Sequence, residues 1–90
     1  MSHTHQSHHD IIKRLKRADG HLRKIINMME EEKPCLEIAP QFQAVYKAIG
    51  NAKGLFVQDH IEGCLTGGDD DSPTELKQKM KEIKEISKYL

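Results

Sequence analysis

The sequence has no tryptophan, two tyrosines and two phenylalanines, so aromatics make up only 4% of its 90 residues. A chain this short buries a modest fraction of its surface, and without large rings a monomeric core is thin. The apolar residues, 37% of the total, are mostly Ile, Leu, Ala, Val and Met, which suits a chain that finishes its core by oligomerising. No stretch approaches the roughly 18 apolar residues of a membrane span, and the N-terminus lacks the apolar segment of a secretory signal. A cytosolic protein with no membrane partner is expected. Cys35 and Cys64 are the only cysteines; in a reducing compartment they serve more readily as ligands or sensors than as a structural disulfide. No Ser-His-Asp set, glycine-rich phosphate loop or paired-carboxylate arrangement is visible, so an enzyme is not expected. Helix-turn-helix, zinc-finger and RNA-recognition signatures are missing too, so bases would not be read by a standard module.

What is present is helical periodicity. Residues 1–9 are polar and aperiodic and read as a flexible, histidine-containing tail. From about Asp10, Ile11, Leu15, Ala18, Leu22, Ile25 and Met29 recur in steps of four and three, a heptad-type seam. Gly20 interrupts it at about 1 kcal/mol relative to Ala, which points to close packing there. Glu30 to Glu32 and Lys33-Pro34 end that helix. A second helix carries Phe42, Val45, Ile49, Ala52 and Phe56 and runs to about Cys64, with Pro40 in its first turn or at a kink. Leu65 to Asp71 reads as a loop. Ser72 is a fitting N-cap with Pro73 in the first helical position and Glu75 at the capping-box position. The third helix then carries Leu76, Met80, Ile83 and Ile86. The expectation is an all-α, three-helix protomer, a single domain over residues 10–90.

The chemistry lies in two places. His60 and Cys64 are four residues apart, on one helical face a turn apart. Imidazole nitrogen and thiolate sulfur suit Cu(I), Ni(II) and Zn(II). Cys35, the other cysteine, starts the helix that His60 and Cys64 end, and 25 residues at 1.5 Å put it about 37 Å away. One straight helix cannot close that gap, whereas an antiparallel dimer can, giving two intersubunit sites by twofold symmetry. The bland alternative is small buried cysteines and a satisfied surface histidine. The second place is the first helix, where Lys13, Arg14, Lys16, Arg17, Arg23 and Lys24 crowd together in a chain of zero formal net charge. Such a stripe neutralises DNA phosphates, though a solvated face is the commoner origin of a charge run. His21 reads as a surface or interface residue, and Met28, Met29 and Met80 as apolar filler.

Arg14-Leu15-Lys16-Arg17-Ala18-Asp19-Gly20-His21, Cys35 after the acidic turn, and Asp59-His60-Ile61-Glu62-Gly63-Cys64 together resemble the CsoR/RcnR family of bacterial repressors over residues 10–90. The resemblance implies an antiparallel four-helix-bundle dimer, usually paired into a tetramer. It also implies operator DNA bound by the apo protein and released on metal binding. Cys35, His60 and Cys64 match the family's ligand set, and Arg14 and Arg17 match positions associated with DNA contact. A further basic position of the family falls at Gly50 or Asn51 here; Lys47 or Lys53 stands nearby as a substitute. Met1-Ser2-His3-Thr4 is similar to the start of the nickel and cobalt sensors, in which a histidine near the N-terminus joins the site, a role open here to His3 or His5. Ser2 departs from the formaldehyde-sensing branch and His60 from the persulfide-sensing branch.

The expected function is therefore a metal-responsive transcriptional repressor. Ni(II) is favoured slightly over Cu(I) as effector, with Zn(II) or Co(II) compatible with the same donors. Lys13, Lys16, Arg14 and Arg17 would hold DNA, and Glu75 is expected to orient His60. The alternatives are a metal-storage or metal-delivery protein without DNA binding, a small-molecule thiol sensor of the same family, and a thiol enzyme acting through Cys35.

Overall fold

A computed structural model describes residues 7–65 and 72–90, apart from the side chains of Ser7, Cys64 and Leu65. The described residues form three helices and no strand: α1 (Ser7–Glu30), α2 (Cys35–Leu65) and α3 (Pro73–Ile86), closed by a 3-10 turn at Ser87–Tyr89. The first helix begins three residues ahead of the expected boundary, so residues 7–9 of the anticipated tail are helical. The rest of that tail and the expected loop at 66–71 lie outside the described residues.

The α1–α2 turn is built from local hydrogen bonds. Lys33 donates its backbone N–H to the Met28 carbonyl (2.9 Å) and Glu32 donates to Met29 (3.1 Å), the paired bonds of a Schellman cap. Glu32 occupies the left-handed position of that cap, at φ 57°. The Pro34 carbonyl then accepts from Glu37 (2.9 Å) and Ile38 (3.2 Å), which starts α2. Pro40 lies beyond the first turn of α2, where it removes one bond from the backbone ladder.

The two long helices pack as an antiparallel hairpin through residues seven apart. Ile11, Ala18 and Ile25 of α1 are buried, as are Ile38, Val45 and Ala52 of α2, with Val57 further along. The seams expected from sequence are thus divided. Leu15 (45% exposed), Leu22, Met29, Phe42 (50%), Ile49 and Phe56 form a second, half-exposed flank together with Ile12 and Ile26. Two helices cover only one flank of each other, and the large side chains of this one stay about half exposed. Gly20 does not show the close packing expected of it: a Cβ built there would meet nothing within 4 Å.

Ser72 caps α3, with its Oγ accepting from the Glu75 N–H at 3.2 Å and Pro73 in the first helical position. None of the α3 residues is fully buried; Ile83 and Ile86 are half-buried, and Leu76 and Met80 (64%) are exposed. The protomer measures 59 × 23 × 15 Å. Its radius of gyration is 18.2 Å, against about 12 Å for a compact domain of this length.

Candidate metal centre

His60 sits in the penultimate turn of α2, its side chain about four-fifths buried beneath α3. Its Nε2 lies 2.8 Å from Oε1 of Glu82, in the third turn of α3. The atom is buried, and the approach is an ion-pair contact off the axis of a hydrogen bond. A neutral ring protonated on Nδ1 would set two acceptors face to face at that distance. A proton on Nε2 would make this approach favourable, and the neutral ring in that tautomer keeps a lone pair on Nδ1. The residue expected to orient His60 was Glu75. Within the protomer the carboxylate at the ring is Glu82, whereas Glu75 lies in the N-terminal cap of α3, two turns earlier.

Asp59 and Phe56, beside His60 on α2, receive the first turn of α1. The His8 ring stacks on Phe56 with centroids 5.4 Å apart and planes inclined by 18°. Its Nε2 is 3.9 Å from Oδ2 of Asp59, both side chains being about three-quarters buried. Sequence reasoning grouped His8 with the tail, because a Ser-His-His segment has no apolar period to mark it as helix.

Cys35 is an exposed free thiol at the opposite end of α2. Among the described residues no group of three or more His, Cys, Asp and Glu side chains could hold a metal ion. One protomer thus keeps Cys35 apart from His60, as the helix length requires. Cys64 follows His60 by one turn, but its side chain lies outside the described residues, as do His3 and His5 entirely.

The basic residues Lys13, Arg14, Lys16 and Arg17 are exposed along α1. Arg14 and Arg17 border a cleft between the long helices that is also lined by His21 and Asn51. Arg23 is partly engaged, 3.4 Å from Asp19 one turn earlier. Lys47 and Lys53 are exposed on α2. His21 makes an unforeseen contact, its Nε2 lying 2.6 Å from Oε1 of Gln41 across the hairpin. Tyr46 is also exposed on α2. Among the described residues no helix is long and apolar enough to cross a membrane.

The hairpin thus carries Cys35 at one end of its long helix, His60 near the other, and exposed basic residues along its first helix. The chain belongs to the metal-sensitive transcriptional repressor family, whose pattern matches residues 7–90. It is 35% identical over 54 residues to the copper-sensing transcriptional repressor RicR of Mycobacterium tuberculosis, covering 60% of this chain and 56% of RicR. It is 38% identical over 55 residues to the copper-sensing repressor CsoR of Bacillus subtilis, covering 61% of this chain and 54% of CsoR. The matched segment spans about half the length of these curated relatives. Two solved structures share the fold over their full length. The nickel-responsive transcriptional regulator InrS has a TM-score of 0.77 at 30% identity and covers all of this chain. A single-residue variant of the formaldehyde-responsive regulator FrmR from Salmonella enterica serovar Typhimurium has a TM-score of 0.81 at 27% identity, covering 99% of this chain.

Proposed function

We propose that this protein is a repressor whose apo form holds operator DNA through Arg14, Arg17, Lys13 and Lys16 and releases it on binding Ni(II) or Cu(I). The metal site is formed between protomers, from Cys35 of one and the partner's His60 and Cys64. The observation that carries this reading is the separation of Cys35 from His60 by about 37 Å of continuous helix. The half-exposed flank of Leu15, Leu22, Phe42, Ile49 and Phe56 supports it, since a second antiparallel hairpin would cover that flank and complete a four-helix bundle. Pairing of two such dimers into a tetramer follows the family's habit.

The donors present fit a soft or borderline cation. With a proton on Nε2 toward Glu82, His60 would offer Nδ1, and the two cysteines would supply thiolates. Such a set of two sulfurs and one nitrogen suits Cu(I). A further nitrogen from His3 or His5 suits four-coordinate Ni(II), and likeness to a nickel-responsive regulator over the whole chain supports that metal. Because the thiols bind as thiolates, loading releases protons, and metal affinity falls as pH is lowered. Drawing His60 toward the metal shifts its grip on Glu82, which links the site to the seating of α3. Typical coupling free energies of about 1–3 kcal/mol weaken DNA binding by up to about a hundredfold.

The test is titration of Ni(II), and anaerobically of Cu(I), into the protein bound to its own promoter DNA. Failure of both metals to change DNA affinity refutes the sensor. Tight metal binding without a salt-sensitive shift of promoter DNA would instead mark a storage or delivery protein.

A further inference from the structure

The cleft beside Arg14 and Arg17 has more built into it than a solvated charge run requires. Arg14, Arg17, Ala18 and His21 line one wall, at steps of three and four along α1, and Ala48 and Asn51 of α2 line the other. The two alanines leave a recess of about 250 Å³, and none of its lining residues is a carboxylate. Among the described residues no acidic group pairs with Arg14 or Arg17, whereas Arg23 lies 3.4 Å from Asp19. The next cleft along, which shares Arg14, is lined by Asp10, Asp59 and Glu62, so the sign of the surface reverses at Arg14. At the other end, Nε2 of His21 lies 2.6 Å from Oε1 of Gln41, both side chains being half-buried. An amide oxygen only accepts, so the ring donates, and the bond ties α1 to α2 beside the recess.

We infer that this recess seats one backbone phosphate of duplex DNA, held by Arg14 and Arg17 with the side-chain amide of Asn51 opposite, and that His21 and Gln41 are positioning residues that fix its width. The inference rests on the proposed DNA contact of the first helix and adds the second helix to it. A phosphodiester offers two free oxygens under a single charge. Guanidinium groups one turn apart grip such a pair through forked donors. An amide N–H on the facing helix completes the set without adding a charge. A seat with one wall on each helix fits a phosphate at only one separation of the two. Parting or sliding α1 against α2 then loosens DNA with no change in either arginine.

The test is the salt dependence of duplex binding by the metal-free protein, with its promoter and a duplex of unrelated sequence at low salt as the two probes. Asn51→Asp sets a like charge against the phosphate and should weaken both complexes about tenfold. Asn51→Lys should tighten both and steepen the slope of log affinity against log salt by about one. An unchanged slope in Asn51→Lys, or unchanged affinity in Asn51→Asp, overturns the seat. His21→Ala and Gln41→Ala should each weaken both complexes about fivefold, and the double variant should lose no more than either single change. His21→Gln, which can still bond to Gln41, should bind as wild type does. A lowered melting temperature with undiminished DNA affinity in His21→Ala shows a merely structural bond and overturns the positioning role, as do losses that add in the double variant. A wild type that binds the unrelated duplex without preferring its promoter refutes the operator reading alone, and the same variants still decide the seat. A wild type that binds neither duplex overturns both.

Discussion

At the scale of the residue, the 2.8 Å approach of Glu82 to Nε2 of His60 sets the surroundings of that ring. Glu82→Gln keeps the shape but removes the negative charge 2.8 Å from Nε2. It should lower metal affinity by about tenfold or more, and metal should release DNA less well from this variant than from wild type in a promoter titration. Glu75→Ala provides the contrast. Its backbone N–H keeps the bond to Ser72, so the change loses only a favourable carboxylate charge at the start of α3; it should lower thermal stability slightly and leave metal affinity unchanged in the same competition assay. That His60 and Cys64 could share one helical face, as half a site would need, was legible in their four-residue spacing. The supporting carboxylate was not. Helix α3 offers Glu75, Glu82 and Glu85, and the choice among them depends on how Ile83 and Ile86 seat against α2, a tertiary matter that local spacing does not encode. His8 escaped for a related reason, since its partners Phe56 and Asp59 are remote in sequence.

At the scale of the element, the ends of the helices were readable because their signals are local. Ser72-Pro73 opens α3, and the turn before Pro34 closes α1. Glu32 is the strained member of that turn. Glu32→Gly removes the Cβ penalty of the left-handed position and should stabilise the metal-free protein by about 1 kcal/mol, read from denaturant midpoints at fixed protein concentration. Gly20 lies exposed within α1 with open space around it. Gly20→Ala should therefore stabilise by about 0.5–1 kcal/mol in the same measurement. If operator affinity falls in that variant while stability rises, the space above Gly20 is used by DNA. The periodicity located both apolar flanks of α1 and α2 but could not say which is internal. Ile11, Ala18 and Ile25 face α2, whereas Leu15, Leu22 and Met29, equally apolar, do not. Steps of three and four mark a helix's apolar side; they carry no label for the partner that covers it.

At the scale of the whole molecule, an extended protomer with a half-exposed apolar flank should be stable only with a neighbour. Its melting temperature should rise with protein concentration, as it does for a folded state that includes association. The shared site gives a sharper test. Cys35→Ala and His60→Ala proteins should each bind metal poorly alone. After unfolding and refolding together, the mixed dimers should recover one intact site each, built from the unaltered Cys35 of one chain and the unaltered His60 and Cys64 of the other. A site contained in one chain would show no recovery. The distance that keeps Cys35 from His60 within one protomer was legible in the residue count between them, because the rise of an α-helix is fixed. The same distance bears on how the two sites of a dimer communicate. In the proposed dimer they would stand at opposite ends of the α2 pair, about 37 Å apart, several times the Debye length of about 8 Å at physiological ionic strength. The charge of one bound ion is therefore screened from the other. Any preference for filling both sites or neither must pass mechanically along the helices, so it should persist in high salt, where the grip on DNA fades.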